Sequence, residues 1–405
     1  MTHSSSTDRH PWSVFLIFLR LGLTSFGGPV AHLAYFRQEF VSRRQWLTEQ
    51  HYAELVALCQ FLPGPASSQV GMGLGLMRAG YAGAAAAWLG FTIPSALMLI
   101  LFAAGLHWQG GVIASGLLHG LKVVAVAVVA QAVWGMARQL CTDVTRLSMM
   151  VFAACTVLLW PSVYGQLGVM LAAALTGIRW CPVPSDRAHA PLPLRHGRSG
   201  GIVWLALFVV LLLWLPLLAS HAPSMLLRQI DAFYRAGALV FGGGHVVLPL
   251  LQAAVVPSGW VSESTFLAGY GAAQAVPGPL FTFAAFLGAA TPGEAGGLTG
   301  GLVCLLAIFA PSFLLVAGAL PFWNSLRGYR RIQAALAGIN AAVVGVLLAA
   351  LYQPVATSAL QTPADAGLAL LAWLALMIWR LPPWLVVAGC GGIGWGASLL
   401  MAWLQ

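Results

Sequence analysis

Two short stretches decide how this chain is read: Phe26-Gly27-Gly28-Pro29 and, some thirty residues on, Gln60-Phe61-Leu62-Pro63-Gly64-Pro65. Both recur in the second half, as Phe241-Gly242-Gly243-Gly244 and Gln274-Ala275-Val276-Pro277-Gly278-Pro279, at offsets of 215 and 214. Between them Trp46-Leu47-Thr48-Glu49 matches Trp260-Val261-Ser262-Glu263, and further on Pro94-Ser95 matches Pro311-Ser312. Arg20 then falls on Arg235, and Gly120-Leu121-Lys122 on Gly338-Ile339-Asn340. Collinear matches with a slowly drifting offset mark an internal duplication, which the mere abundance of glycine and proline in membrane helices does not explain.

The medium around these stretches is apolar. Of 405 residues, 60% are hydrophobic and 7% charged, against about 25% charged in soluble domains, and mean hydropathy is +0.85. Thirteen apolar segments lie at 12–34, 52–77, 80–106, 111–137, 147–160, 163–178, 201–219, 229–252, 263–290, 296–320, 332–352, 364–380 and 383–404. The expected fold is therefore an all-α polytopic integral membrane protein. Residues 1–178 form the first repeat and 179–200 a cytoplasmic linker rich in proline and arginine. A connecting transmembrane helix follows at 201–224, then the second repeat at 225–405. The first apolar run is cut short by Arg20 without an A-x-A site, so it reads as retained and not as a signal peptide.

Loop charge orients the copies. Loop 35–48 carries Arg37, Arg43 and Arg44, while its partner 253–262 carries no Lys or Arg. Loop 107–112 carries none, while its partner 322–331 carries Arg327, Arg330 and Arg331. Basic loops stay cytoplasmic, so equivalent loops lie on opposite faces, an inverted-topology repeat of the kind secondary transporters use. If all thirteen segments crossed, 35–48 and 107–112 would share a side. If 12–34, 52–77, 229–252 and 263–290 instead turn back at their Gly or Pro clusters, the basic loops all become cytoplasmic. That re-entrant version, with nine full crossings, is preferred. Both versions put the N-terminus inside and the C-terminus outside.

Several functions are excluded or disfavoured. The single lysine, Lys122, lies in no G-x-x-x-x-G-K-[ST] loop, and H-E-x-x-H and G-x-S-x-G are absent. The six cysteines form no C-x-x-C pair and read as small buried hydrophobes. The net charge of +9 reports the loop bias, not nucleic-acid binding. No catalytic group, metal or cofactor is expected.

What remains is transport. Irregular backbone at membrane depth survives only where protein buries it or water lines it, and a break exposes N–H groups that favour an anion. The candidate substrate-binding residues are Gly27, Gly28, Pro29, Pro63, Gly64 and Pro65, with Gly242, Gly243, Gly244, Pro277, Gly278 and Pro279 in the second copy. Gln60, Gln274 and Ser67 flank the breaks and could donate to an oxyanion or satisfy freed backbone groups. Arg20, Arg235, Lys122, His245 and Asn340 complete the set. For the two arginines, snorkelling to the interface is the competing explanation, and for the histidines, packing. Every Asp and Glu falls in a loop or near a segment end, with Glu54 and Asp231 closest to membrane depth.

The combination F-L-R-L-G-x-x-S-F-G-G-P over Phe18–Pro29, Q-x-x-P-G-P over Gln60–Pro65 and F-G-G-G-H-V-V-L-P-L-L over Phe241–Leu251 resembles the chromate ion transporter family, in its two-domain form. The resemblance implies a bacterial inner-membrane carrier that exports chromate, with sulfate as the competing anion and oppositely inserted halves. A homodimer is compatible with it. Gly244 stands where Pro29 does in the first copy, so the halves need not contribute equally. A carrier for sulfate or another anion, or a non-transport membrane subunit, is the alternative.

Overall fold

The computed structural model describes residues 10–108, 112–181, 198–221, 224–241, 243–326 and 329–404. Gly242, Arg327 and most of the 179–200 linker lie outside the described residues. Among the described residues every regular element is helical.

The first half opens with α1 (Pro11–Thr24), capped by the His10 side chain and ended by an extended Ser25. α2 (Gly28–Phe36) follows and runs into a π-helical stretch, Arg37–Arg43. α3 (Glu49–Phe61) ends at the first P-G-P break, and α4 (Ala66–Trp108) carries non-helical Ala79 and Gly80, so it is two helices end to end. α5 (Val112–Leu140), α6 (Val144–Leu159) and α7 (Val163–Trp180) complete the half, and α8 (Arg198–His221) connects to the second. There α9 (Met225–Leu239) precedes the second glycine cluster, and a 3₁₀ turn leads into α10 (Val247–Val255). α11 (Glu263–Ala275) ends at the second P-G-P, and a further 3₁₀ turn leads into α12 (Phe283–Ala290). The rest is α13 (Gly297–Ala319), a short α14 (Trp323–Leu326), α15 (Arg330–Ala350), a one-turn α16 (Thr357–Ala359), α17 (Pro363–Met377) and α18 (Pro383–Leu404).

The matched tetrapeptides found in sequence are helix caps. Thr48 accepts from the His51 amide at the start of α3, and Ser262 accepts from the Thr265 amide at the start of α11. Capping of this kind stabilises a helix start by about 1 kcal/mol.

Length separates two kinds of helix. α1, α2, α3, α9, α10, α11 and α12 have 8 to 15 residues. At about 1.5 Å per residue these reach no more than roughly 22 Å, short of the about 30 Å of hydrocarbon. Six helical stretches are long and apolar enough to cross: 66–106, 116–140, 198–221, 297–322, 330–359 and 383–400. Three further expected crossings are shorter, with α6, α7 and α17 at 16, 18 and 15 residues.

The chain doubles back between Trp46 and Arg78. The Arg78 guanidinium lies 5.0 Å from the Trp46 ring, so the loop after α2 and the end of the first part of α4 are at one end. A chain crossing fully at 52–77 would separate those residues by the membrane thickness. At the same end Trp204 Nε1 donates to Tyr81 Oη at 3.0 Å and Trp323 Nε1 to Glu54 Oε2 at 2.9 Å. Arg37, Arg43, Arg44 and Arg78 belong to this end. At the opposite end Ser358 donates to Glu263 and Gln229 Nε2 to Thr291 Oγ1.

Backbones meet through small residues. A Cβ on Gly22 of α1 would lie 2.8 Å from the Gly90 carbonyl, and one on Gly237 of α9 would collide with the Ile308 carbonyl of α13. α5 packs on α18 through Gly120 against Cys390, whereas α15 packs on α7 through Gly338 against Ala173. Each long helix thus docks on the last helices of the other half. In a medium as apolar as the side chains themselves, such close van der Waals packing is what holds helices together.

Candidate functional site

The four chain breaks meet where the halves face each other. The Gly64 amide donates to the Val240 carbonyl at 2.7 Å, and the Gly278 amide donates to the Ser25 carbonyl at 3.0 Å. Each P-G-P break is therefore tied to the end of the opposite half's first helix. The same glycines are closely packed: a Cβ on Gly64 would lie 2.6 Å from Ser312 Oγ, and one on Gly278 would lie 2.8 Å from Ser95 Oγ. The matched serines thus serve as the walls against matched glycines. Pro63, Pro65, Pro277 and Pro279 frame these crossings. The Pro63 carbonyl accepts from Gln69 Nε2 at 2.7 Å, and the Pro279 carbonyl accepts from Thr282 Oγ1 at 2.7 Å. The expectation that all four breaks offer free amides thus needs correction, because Gly64 and Gly278 spend theirs on joining the halves.

The glycine-pair breaks behave differently. Gly28 has φ +76° and a Cβ there would meet nothing within 4 Å. Gly243 has φ +142°, and a Cβ would meet only the end of Met136, at 3.9 Å. Both therefore present bare backbone to open space. Pro29 and Gly244, equivalent in sequence, face each other across the boundary: a Cβ on Gly244 would lie 3.5 Å from Pro29 Cγ. The departure of the second copy from F-G-G-P thus has a steric counterpart, one ring packing where the other position is left small.

Two cavities share this spot. One of about 160 Å³ is lined by Gly27, Gly28, Pro29, Gln131, His245, Gln274 and Gly278, with apolar neighbours. The other, about 420 Å³, is lined by Gly27, Pro29, Gln60, Gly64, Gln139, Gly243, Gly244, His245 and Asn340, among others. Gly27, Pro29, Ala132 and His245 line both. His245 Nδ1 is bonded to Tyr270 Oη at 2.8 Å, which fixes the ring and leaves Nε2 for a ligand. Gln274 Nε2 is buried with no partner. An orphaned buried donor costs about 1–3 kcal/mol, so its presence at a cavity wall points to a ligand or water that accepts from it. Gln131 and Gln139, on α5, were not foreseen. A lone glutamine in an apolar helix was the available signal.

The remaining candidates sit elsewhere. Ser67 Oγ lies 3.5 Å from His32 Nδ1, whose ring spans the break to the Ser25 carbonyl at 3.2 Å. Lys122 is half-buried on α5 but lines neither cavity, and Arg20 is exposed on α1. Arg235 is bound by Asp231 at 2.9 and 2.5 Å, away from both. Lys and Arg are thus absent from these walls, which offer neutral donors instead. Of the carboxylates, Glu54 meets Trp323, Asp231 meets Arg235 and Asp365 meets His119 at 2.6 Å. Among the described residues no three of His, Cys, Asp and Glu come together to hold a metal.

Such walls suit a ligand that accepts many hydrogen bonds. A tetrahedral oxyanion accepts at four oxygens, and backbone N–H groups at helix starts together with neutral amides can hold it without a counter-charge.

Known proteins resemble this chain in sequence. A family model described as chromate transporter matches residues 12–178 and 227–395, one part on each side of the linker. The chain is 28% identical to a chromate transport protein of Pseudomonas aeruginosa, over 94% of this chain and 91% of that protein. It is also 27% identical to a chromate transport protein of Cupriavidus metallidurans, with 94% and 91% covered. To an uncharacterized transporter of Methanocaldococcus jannaschii it is 26% identical, with 83% and 82% covered. No solved structure matches the chain. With the family model covering most of both halves, this multi-pass membrane protein is a transporter and belongs to the chromate transporter family.

Proposed function

We propose that this protein exports chromate across the bacterial inner membrane, binding the oxyanion at the junction of the two glycine-pair breaks. The observation that carries the reading is the pair of cavities sharing Gly27, Pro29 and His245, where bare backbone and the unpartnered Gln274 amide converge. The names of the relatives from P. aeruginosa and C. metallidurans support the choice of chromate. In this reading residues 1–178 and 225–405 are inverted repeats joined by 179–200 and the helix at 201–224. The arginine-rich end faces the cytoplasm, with the N-terminus inside and the C-terminus in the periplasm. Neutral donors bind a dianion without trapping it, which a carrier needs for release on the far side.

Direction follows from charge. Moving one charge through about 100 mV is worth roughly 2.3 kcal/mol. A dianion leaving a cell at about 150 mV, negative inside, gains roughly 7 kcal/mol, enough for a gradient of about 10⁵ at roughly 1.4 kcal/mol per decade. Export then requires no coupled ion.

The test is chromate accumulation in cells with and without the protein, with sulfate as competitor. Lower accumulation that rises when the membrane potential is collapsed at constant pH gradient is the expected result. Exit that follows the pH gradient and ignores the potential would replace this mechanism with proton-coupled exchange. Equal accumulation in both strains would remove the chromate assignment itself.

A further inference from the structure

A third cavity, about 490 Å³, lies at the end opposite the arginine-rich loops, between α8, α9 and α10. Neither central cavity contains an arginine, and this one contains two, Arg228 and Arg235, two turns apart on α9. Their roles differ. Arg235 is neutralised by Asp231, which is itself buried at 5% exposure. Arg228 is exposed and makes no ion pair or side-chain hydrogen bond among the described residues. The site therefore carries one uncompensated positive charge.

Apart from Ser220, the rest of the wall is apolar, with Leu167, Pro216, Leu239, Leu250 and Trp260 its largest side chains. Beside it α8 shows Leu213, Trp214, Leu217 and Leu218 outward at 44–64% exposure, a surface apolar enough to face lipid. A small hydrated anion has no use for an apolar wall that opens on hydrocarbon. A molecule with an anionic head and acyl chains matches both parts. The first half supplies an internal control. Ser13 and Leu16 occupy the positions equivalent to Arg228 and Asp231, and Arg20 there lines none of these cavities.

We propose that this cavity binds one anionic phospholipid, its phosphate on Arg228 and its chains along α8 and α10, bracing the connecting helix against the second broken pair. The proposal does not depend on which ion is carried, because lipid is detected here by mass and not by flux.

The experiment is native mass spectrometry of the full-length protein in detergent, supplied with phosphatidylglycerol or phosphatidylcholine. One phosphatidylglycerol per chain should be retained in preference to phosphatidylcholine. Arg228→Gln should lower that retention at least fivefold while Arg20→Gln leaves it unchanged. Because Arg228 is exposed, its variant should elute and melt like the parent, which separates lost binding from lost folding. Equal retention by Arg228→Gln, or no preference for the anionic lipid, overturns the proposal. Displacement of the lipid by millimolar sulfate would overturn it in favour of a free-oxyanion site.

Discussion

The two halves treat their P-G-P breaks alike and their glycine-pair breaks differently. Gly64 and Gly278 each donate across the boundary and each press on a serine of the other half. At the glycine pairs the first half offers Pro29 and an open Gly28, and the second offers Gly244, Gly243 and a cavity-facing His245. Even the histidines are placed differently. His32 bridges its own break to Ser25, whereas His245 is held by Tyr270 and lines both cavities. Where the contacts are reciprocal the role is structural, because a two-fold arrangement must satisfy both copies equally. Where they diverge, one half is free to specialise in the ligand.

The largest effect expected from this contrast concerns the glycines. Gly64→Val and Gly278→Val should greatly reduce the amount of folded protein in the membrane, since the new side chain meets Ser312 or Ser95 inside van der Waals distance. Gly28→Val should leave most of the protein folded, at a cost of about 1–2 kcal/mol for the left-handed backbone, yet lower transport at least tenfold. Size-exclusion profiles and chromate accumulation, measured together, separate the two outcomes. Good folding and full transport in Gly28→Val would erase the distinction.

Next in size is the histidine pair. His245→Ala should reduce transport about tenfold or more and also cost about 1–3 kcal/mol of stability, because the buried Tyr270 hydroxyl loses its partner, and Tyr270→Phe should give a weaker form of the transport defect. His32→Ala should leave transport largely intact and lower stability by about 1 kcal/mol, since the Ser25 carbonyl loses one donor and keeps the Gly278 amide. If both histidines behaved alike in the transport assay, the asymmetry would be sequence drift without consequence.

A smaller effect is expected at Gln274. Gln274→Ala removes a donor that has no protein partner, so stability should be unchanged or improved while chromate affinity falls severalfold. Lys122→Gln and Arg20→Gln should change transport by less than about twofold, because neither side chain lines the central cavities. A loss at Lys122→Gln that Lys122→Arg restores would return the lysine to the ligand path.

The smallest effect lies at the arginine-rich end. Burial alone would raise the Glu39 carboxyl, but hydrogen bonds and charge from Arg44 and Arg43 outweigh it and hold the group below its ordinary value. A depressed carboxyl contributes stability that is present above its unfolded value of 4.5 and fades as pH falls through the lower folded one. Glu39→Gln should therefore cost about 1 kcal/mol near neutral pH and nothing in strong acid. A constant difference across that range would point to packing and not to charge.

Much of this was legible in the chain. Repeated F-G-G and P-G-P clusters gave the positions of the breaks, and the matched W-x-[ST]-E stretches turned out to be caps at Thr48 and Ser262. Loop charge favoured hairpins that turn back, and Arg78 over Trp46 agrees. The site itself was only half legible. Gly27, Pro29, Gln60, Gln274, His245 and Asn340 line these two cavities, as do Gln131 and Gln139, which the sequence does not single out, while Lys122, Arg20 and Arg235 line neither. A charged residue in an apolar run stands out by composition whether it faces ligand, lipid or a carboxylate. Arg235 illustrates the last case, since its partner Asp231 is one helical turn away.

Sequence by itself determined the membrane class, the duplication and the places where helices must stop, because these follow from local composition and from backbone rules that hold anywhere. Tertiary structure alone decided which broken ends open on a cavity and which close on the other half. The reason is that Gly28 and Gly64 have the same local freedom, and only the residues brought opposite them, empty space for one and Ser312 for the other, distinguish a place for a ligand from a seam.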